Sequence, residues 1–94
     1  MDEKHRDILR RNRSALIKDL EPIKILHHLV DVLDEQDEEN IKAKKTRMEA
    51  SYELLDMLPR RGPKAFGVFK EALRKKQPAL AIHLGEQFFS IYKR

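Results

Sequence analysis

The residues whose types could do chemistry are four histidines, three serines, three glycines and one run of carboxylates. None stands at a spacing that catalysis or metal binding requires. His27 and His28 are adjacent rather than four apart, so on a helix they point in different directions and cannot chelate one ion without help from elsewhere. His5 and His83 stand alone. There is no cysteine, which removes disulfides, thiolate zinc sites and thiol nucleophiles together. Ser14, Ser51 and Ser90 fall within stretches read as helices, without the strand–turn–helix setting of an activated serine. Gly62, Gly67 and Gly85 are too scattered to cradle a phosphate. From Asp31 to Asn40 there are six acidic residues and no basic one. That run lacks the alternating ligands, central glycine and terminal glutamate of a calcium loop. The chain therefore reads as non-catalytic, with no metal and no cofactor.

What remains chemically distinctive is the placement of charge. The formal net charge of +4 matters less than its segregation along the chain. Basic residues collect at Arg10, Arg11 and Arg13, between Lys42 and Arg47, at Arg60 and Arg61, and between Lys70 and Lys76. Asp31, Asp34, Glu35, Asp37, Glu38 and Glu39 form the opposing run. A surface divided in this way can dock head-to-tail on copies of itself or on relatives, with charge complementarity setting partner choice and association rate. The alternative is a basic helical nucleic-acid-binding domain using Arg10, Arg11, Arg13 and the 42–47 cluster. Its affinity for duplex DNA would fall steeply with salt. The adjoining acidic run argues against it.

The elements that must position these charges are helices. Ninety-four residues make one domain, and 40% hydrophobic residues are enough for a core. Three glycines and four prolines leave little material for a turn-rich β fold. The apolar runs are far short of a membrane span and the opening MDEKHRDILRR is no signal peptide, so a cytoplasmic domain without membrane contact is expected. The centre of the chain is LLDMLPRRGPKAFGVFKEAL, Leu54 to Leu73. A helix ends at Leu58, Gly62 suits a left-handed terminating conformation, and Pro63 suits the first turn of the next helix. Phe66, Phe69 and Leu73 then follow at helical spacing.

Taken in order, the first helix is expected from about Asp2 to Leu20, with Asn12 interrupting its apolar stripe. Pro22 opens a second helix that buries Ile25, Leu26, Leu29, Val32 and Leu33. Asp37 is expected to cap a short third helix that carries Ile41 inward. Thr46 and Glu49 form a capping box for the fourth, which continues through Met48, Tyr52, Leu55 and Leu58 at helical spacing. The fifth spans Pro63 to Lys75. The sixth starts at Gln77–Pro78 and turns Leu80, Leu84, Phe88 and Ile91 inward.

With these features in view, the sequence resembles a caspase recruitment domain of the death-fold superfamily. The Leu54–Leu73 corner is similar to the helix-four-to-five segment of such domains in initiator caspases and adaptors. MDEKHRDILRRNRSALIKDL resembles the first helix in apoptotic initiator caspases and the apoptosome scaffold. The resemblance runs from about Asp2 to Phe88. It implies an all-α, six-helix antiparallel bundle in Greek-key order, often with a bent first helix. It also implies homotypic binding to another such domain, in an initiator caspase, adaptor or scaffold, and self-association is compatible with it. By position the basic face would hold Arg10, Arg11 and Arg13, with Arg47, and with Arg60 and Arg61 adding charge at the corner. The acidic face would hold Asp31, Asp34, Glu35, Asp37 and Glu38. Met48 and Tyr52 depart from the pattern, standing on helix four where basic residues are expected. The family also implies that the domain is one module of a longer protein.

Overall fold

The computed structural model describes residues 1–89; Ser90 and Ile91, read above as part of the last helix, lie outside the described residues. Every element within that range is helical. Its elements are α1 (Glu3–Arg11), α2 (Arg13–Asp19), α3 (Pro22–Ile25), a 3-10 turn (Leu26–Leu29), α4 (Glu35–Lys42), α5 (Arg47–Met57), a second 3-10 turn (Leu58–Arg60), α6 (Ala65–Lys76) and α7 (Pro78–Phe89). No described helix is long and apolar enough to cross a membrane.

The expected first helix is two helices, and Asn12 is the reason. Its side-chain amide donates to the carbonyl of Ile8 at 2.8 Å, while its own backbone N–H bonds the same carbonyl. An asparagine that competes for the backbone in this way terminates α1, and α2 restarts at the next residue. Counted as one broken helix, α1 and α2 give six helical units among the described residues, as expected, although the last, α7, is itself interrupted at Gly85, whose φ is 71°. The second unit is also less regular than its apolar spacing suggests, since one turn of α-helix tightens into the 3-10 turn at Leu26–Leu29.

The third unit starts earlier than expected. Asp34, not Asp37, is the N-cap of α4, and the two form a reciprocal capping box. The Asp34 carboxylate accepts from the Asp37 N–H at 2.8 Å and the Asp37 carboxylate accepts from the Asp34 N–H at 3.1 Å. Thr46 caps α5 as expected, accepting from the Glu49 N–H. The Glu49 carboxylate, however, accepts from Lys45 rather than from Thr46, so that box closes one residue outside the cap.

The corner between α5 and α6 sets the core. Gly62 has a φ of 95°, which a side chain would strain, and α6 begins at Ala65, two residues after Pro63. Nothing lies within 4 Å of where a Gly62 Cβ would stand. Gly62→Ala is therefore expected to cost about 1–2 kcal/mol through backbone strain alone. Urea unfolding would check this, and a neutral result would show that the corner can relax out of the left-handed region. α5 packs on α2, α3 and α4, while α6 packs on α3, the first 3-10 turn and α7. Phe66, Phe69 and Phe88 meet at the centre, with ring centroids 5.4 and 6.2 Å apart. One contiguous core runs from Leu9 to Phe88 and includes every predicted inward residue of α6, Leu80 and Leu84.

A second clamp joins the two proline corners. The Gln77 side chain accepts from the Glu21 N–H at 2.6 Å and donates to the Asp19 carbonyl at 3.0 Å. It therefore binds the end of α2 to the α6–α7 junction.

Candidate interaction surface

The break at Asn12 fixes where the first basic cluster lies. Arg10, Arg11 and Arg13 flank it, and with Ser14, Ile17 and Lys18 they line one side of an open concavity of about 530 Å³. Arg47, Met48 and Tyr52 of α5 line the other side. Four of the predicted basic residues thus share one surface, and α5 supplies its other side.

Within that surface the arginines differ. Arg10 and Arg11 both pair with Asp7, at 2.6 and 3.0 Å, and remain largely exposed. Arg13 pairs with Asp56 at 3.0 Å and lies over the Tyr52 ring, 5.4 Å from its centroid. Exposed pairs of this kind hold side chains in place at little net energy, and the charge stays available to a partner. Arg47 has a different task. Its guanidinium donates to the carbonyls of Ile17 and Leu20, at 3.0 and 2.9 Å, closing the C-terminus of α2. A cation on unpaired terminal carbonyls also suits the helix dipole. Its first role is to join α2 to α5, so a substitution there tests the fold together with the surface.

Met48 and Tyr52 are 47% and 44% exposed, so their helical spacing does not carry them into the core. The signal was present in the sequence. Apolar residues at 48, 50, 52, 54, 55, 57 and 58 surround α5 instead of forming one stripe, and a helix at the side of a bundle must expose some of them. Ala50, Leu54, Leu55, Met57 and Leu58 are the buried set, together with Ser51.

Two residues assigned to opposite faces meet each other. Arg61 donates through Nε and Nη2 to both carboxylate oxygens of Asp37, at 2.8 and 2.7 Å. The Asp37 side chain is only 8% exposed. The Arg61 guanidinium, more than the Asp34 N–H, holds the Asp37 carboxyl below the usual carboxylate range, and Asp37 in turn raises Arg61. Their charges are committed to the α4–corner contact. Long-range pairing of this kind leaves no local pattern in a sequence. The D-x-x-D spacing at Asp34–Asp37 was the one available sign that Asp37 turns inward.

Of the remaining expected residues, Asp34 and Glu35 are exposed and Glu38 half-buried at the start of α4. Asp31 is exposed after the first 3-10 turn, and Arg60 is exposed in the second, outside the concavity. The basic surface is interrupted by Asp7 and Asp56, so it does not form the continuous positive track that a nucleic-acid backbone would follow.

The family model "Caspase recruitment domain" matches residues 6–87 of this chain. Caspase-2 of Gallus gallus is 36% identical over 84 residues, an alignment that covers 86% of this chain and 20% of that protein. The chain thus spans about a fifth of the length of this curated relative.

Proposed function

The chain belongs to the caspase recruitment domain family, and we propose that it serves as a homotypic adaptor, recruiting or clustering a caspase or a caspase adaptor in apoptotic signalling. Its all-α bundle is a death fold, and such a domain is a non-catalytic interaction module. The observation that carries the proposal is the convergence of Arg10, Arg11, Arg13 and Lys18 on one concavity, while the carboxylates of Asp34, Glu35 and Glu38 cluster on α4. In this reading the basic surface of one domain receives the acidic surface, including Asp31, of another. Asp37, Arg61 and Arg47 act by holding these surfaces in shape.

The mechanism is proximity. Clustered domains raise the effective concentration of whatever they carry, which favours dimerisation of an attached zymogen without any chemistry in the domain itself. We further propose that residues 1–94 form one domain of a longer cytoplasmic protein. Light scattering after size exclusion, at low and physiological salt, tests the charged docking, alongside capture of purified caspase recruitment domains from initiator caspases and adaptors. The expected result is a complex, with itself or with one of these domains, that weakens as salt rises. Failure to bind itself and every member of the panel at low salt would contradict the proposal.

A further inference from the structure

A second cavity, of about 600 Å³, opens on another part of the molecule, between the first turn of α1, the Leu26–Leu29 turn and α6. Of the residues assigned above to protein docking, it shares only Asp31. Lys64, Lys70 and Lys75 bring three cations to its lining, and His5 and His28 bring two imidazoles. Asp31 and Glu71 also border it. Three cations against two carboxylates leave a formal excess of one positive charge with the imidazoles neutral.

Two ring nitrogens in this lining, His5 Nδ1 and His28 Nε2, are shielded from solvent and have no hydrogen-bond partner. His5 stacks flat on Phe66, with centroids 4.2 Å apart and 11° between the planes. The nearby Asp2 carboxylate, 3.4 Å from Nδ1, is already engaged by the His5 backbone N–H. His28 has the His27 ring 4.3 Å away. A shielded polar atom without a partner is costly to keep, and proteins normally satisfy it. Lys70 places Nζ 5.1 Å from the Phe66 ring centre, half-buried beside this lining.

The electrostatics agree with the geometry. Burial, then His27, Lys76 and Lys75, push His28 below its ordinary value. Burial, then Arg74, push Lys70 down, and Glu71 compensates only in part. Positive charge at Lys70 and at His28 is therefore disfavoured as the lining stands. An anion with several acceptor oxygens would relieve it, and a small turn of either imidazole ring would bring its shielded nitrogen to such an anion as a donor. A phosphate group fits better than a carboxylate, because it offers at least three oxygens and close to two charges near neutral pH.

We propose that the cavity lined by Lys64, Lys70, Lys75, His5 and His28 binds the phosphate group of a small soluble phosphorylated molecule. The test is an NMR titration of the isotopically labelled 94-residue chain with pyrophosphate, at constant ionic strength set by sodium chloride. The imidazoles of His5 and His28 should shift saturably, with a dissociation constant of about 1 mM or tighter. The exposed His83 should stay still. The protonation midpoint of His28 should rise when pyrophosphate is bound. Lys64→Ala combined with Lys70→Met should weaken binding about tenfold, while Arg13→Glu should leave it unchanged. If the double variant loses its amide spectrum, His28→Asn supplies the same comparison. Shifts that remain linear to about 50 mM, or equal affinity in the folded variants, would overturn the proposal. So would binding only to phosphoinositide vesicles and not to pyrophosphate.

Discussion

Phe66→Ala is expected to remove about 3–5 kcal/mol of stability, the range for truncating a fully buried aromatic residue. The ring is 1% exposed and lies between His5 of α1 and Phe88 of α7, with the Lys70 ammonium 5.1 Å from its centre. Its loss therefore detaches α1 and α7 from α6 together and leaves a cavity that three helices would have to close. A domain of this size holds roughly 5–10 kcal/mol in total, so the variant should melt about 15–30 °C lower. Thermal unfolding followed by circular dichroism measures this. A loss below about 1 kcal/mol would mean that the neighbours repack easily and that Phe66 does not tie the three helices.

Asp37→Ala is expected to cost about 2–4 kcal/mol, even though the residue lies within an acidic run whose other members are exposed or, at Glu38, half-buried. It removes both bonds from Arg61 and the acceptor for the Asp34 N–H in one change. Arg61→Ala should cost less, because that side chain is 30% exposed and water can replace part of the pair. The double variant should fall short of the sum of the two. The pH dependence has a definite sign. Asp37 titrates lower when folded, so its contribution is present above the ordinary carboxyl value of about 3.9 and is lost as pH falls through the folded value. His28 is also lowered in the fold, where the neutral ring is favoured. Its contribution is present above about 6.5 and declines as pH falls from there towards the folded value. Stability should therefore fall in two stages on acidification, and Asp37→Ala should diminish only the lower one, to which Asp2, also lowered by the His5 backbone N–H, contributes. Urea midpoints from pH 7.5 to pH 3 would resolve the two stages. A variant that keeps the lower stage undiminished would assign it to other carboxylates.

Helix content and the core were legible because they depend on local signals. Pro22, Thr46, Gly62 and Pro78 mark element boundaries, and the apolar spacing of α6 assigns Phe66, Phe69 and Leu73 to the core. The break at Asn12 was visible only as an interrupted stripe, since the competing bond to Ile8 depends on which way an amide turns. The proposed interaction surface was half legible. Arg10, Arg11 and Arg13 do come together, because residues flanking one helix break must. Arg47, Asp37 and Arg61 could not be separated from the exposed charges beside them. Their partners lie 24 to 30 residues away, and sequence gives a charge the same weight whether it meets water or a buried acceptor. Gln77 escaped notice for the same reason, with partners 56 and 58 residues distant.

The most direct test of the charged-surface account is calorimetric titration of the chain against a cognate caspase recruitment domain, with Arg13→Glu and Asp31→Lys compared with the parent. Both side chains are on the outside of the fold, Arg13 38% exposed and Asp31 exposed as well, so neither change should unfold the domain. A given partner engages either the basic or the acidic surface. One of the two variants should therefore bind about thirtyfold or more weaker, roughly 2 kcal/mol, while the other binds as the parent does. Parental affinity in both variants, with both still folded, would contradict the account.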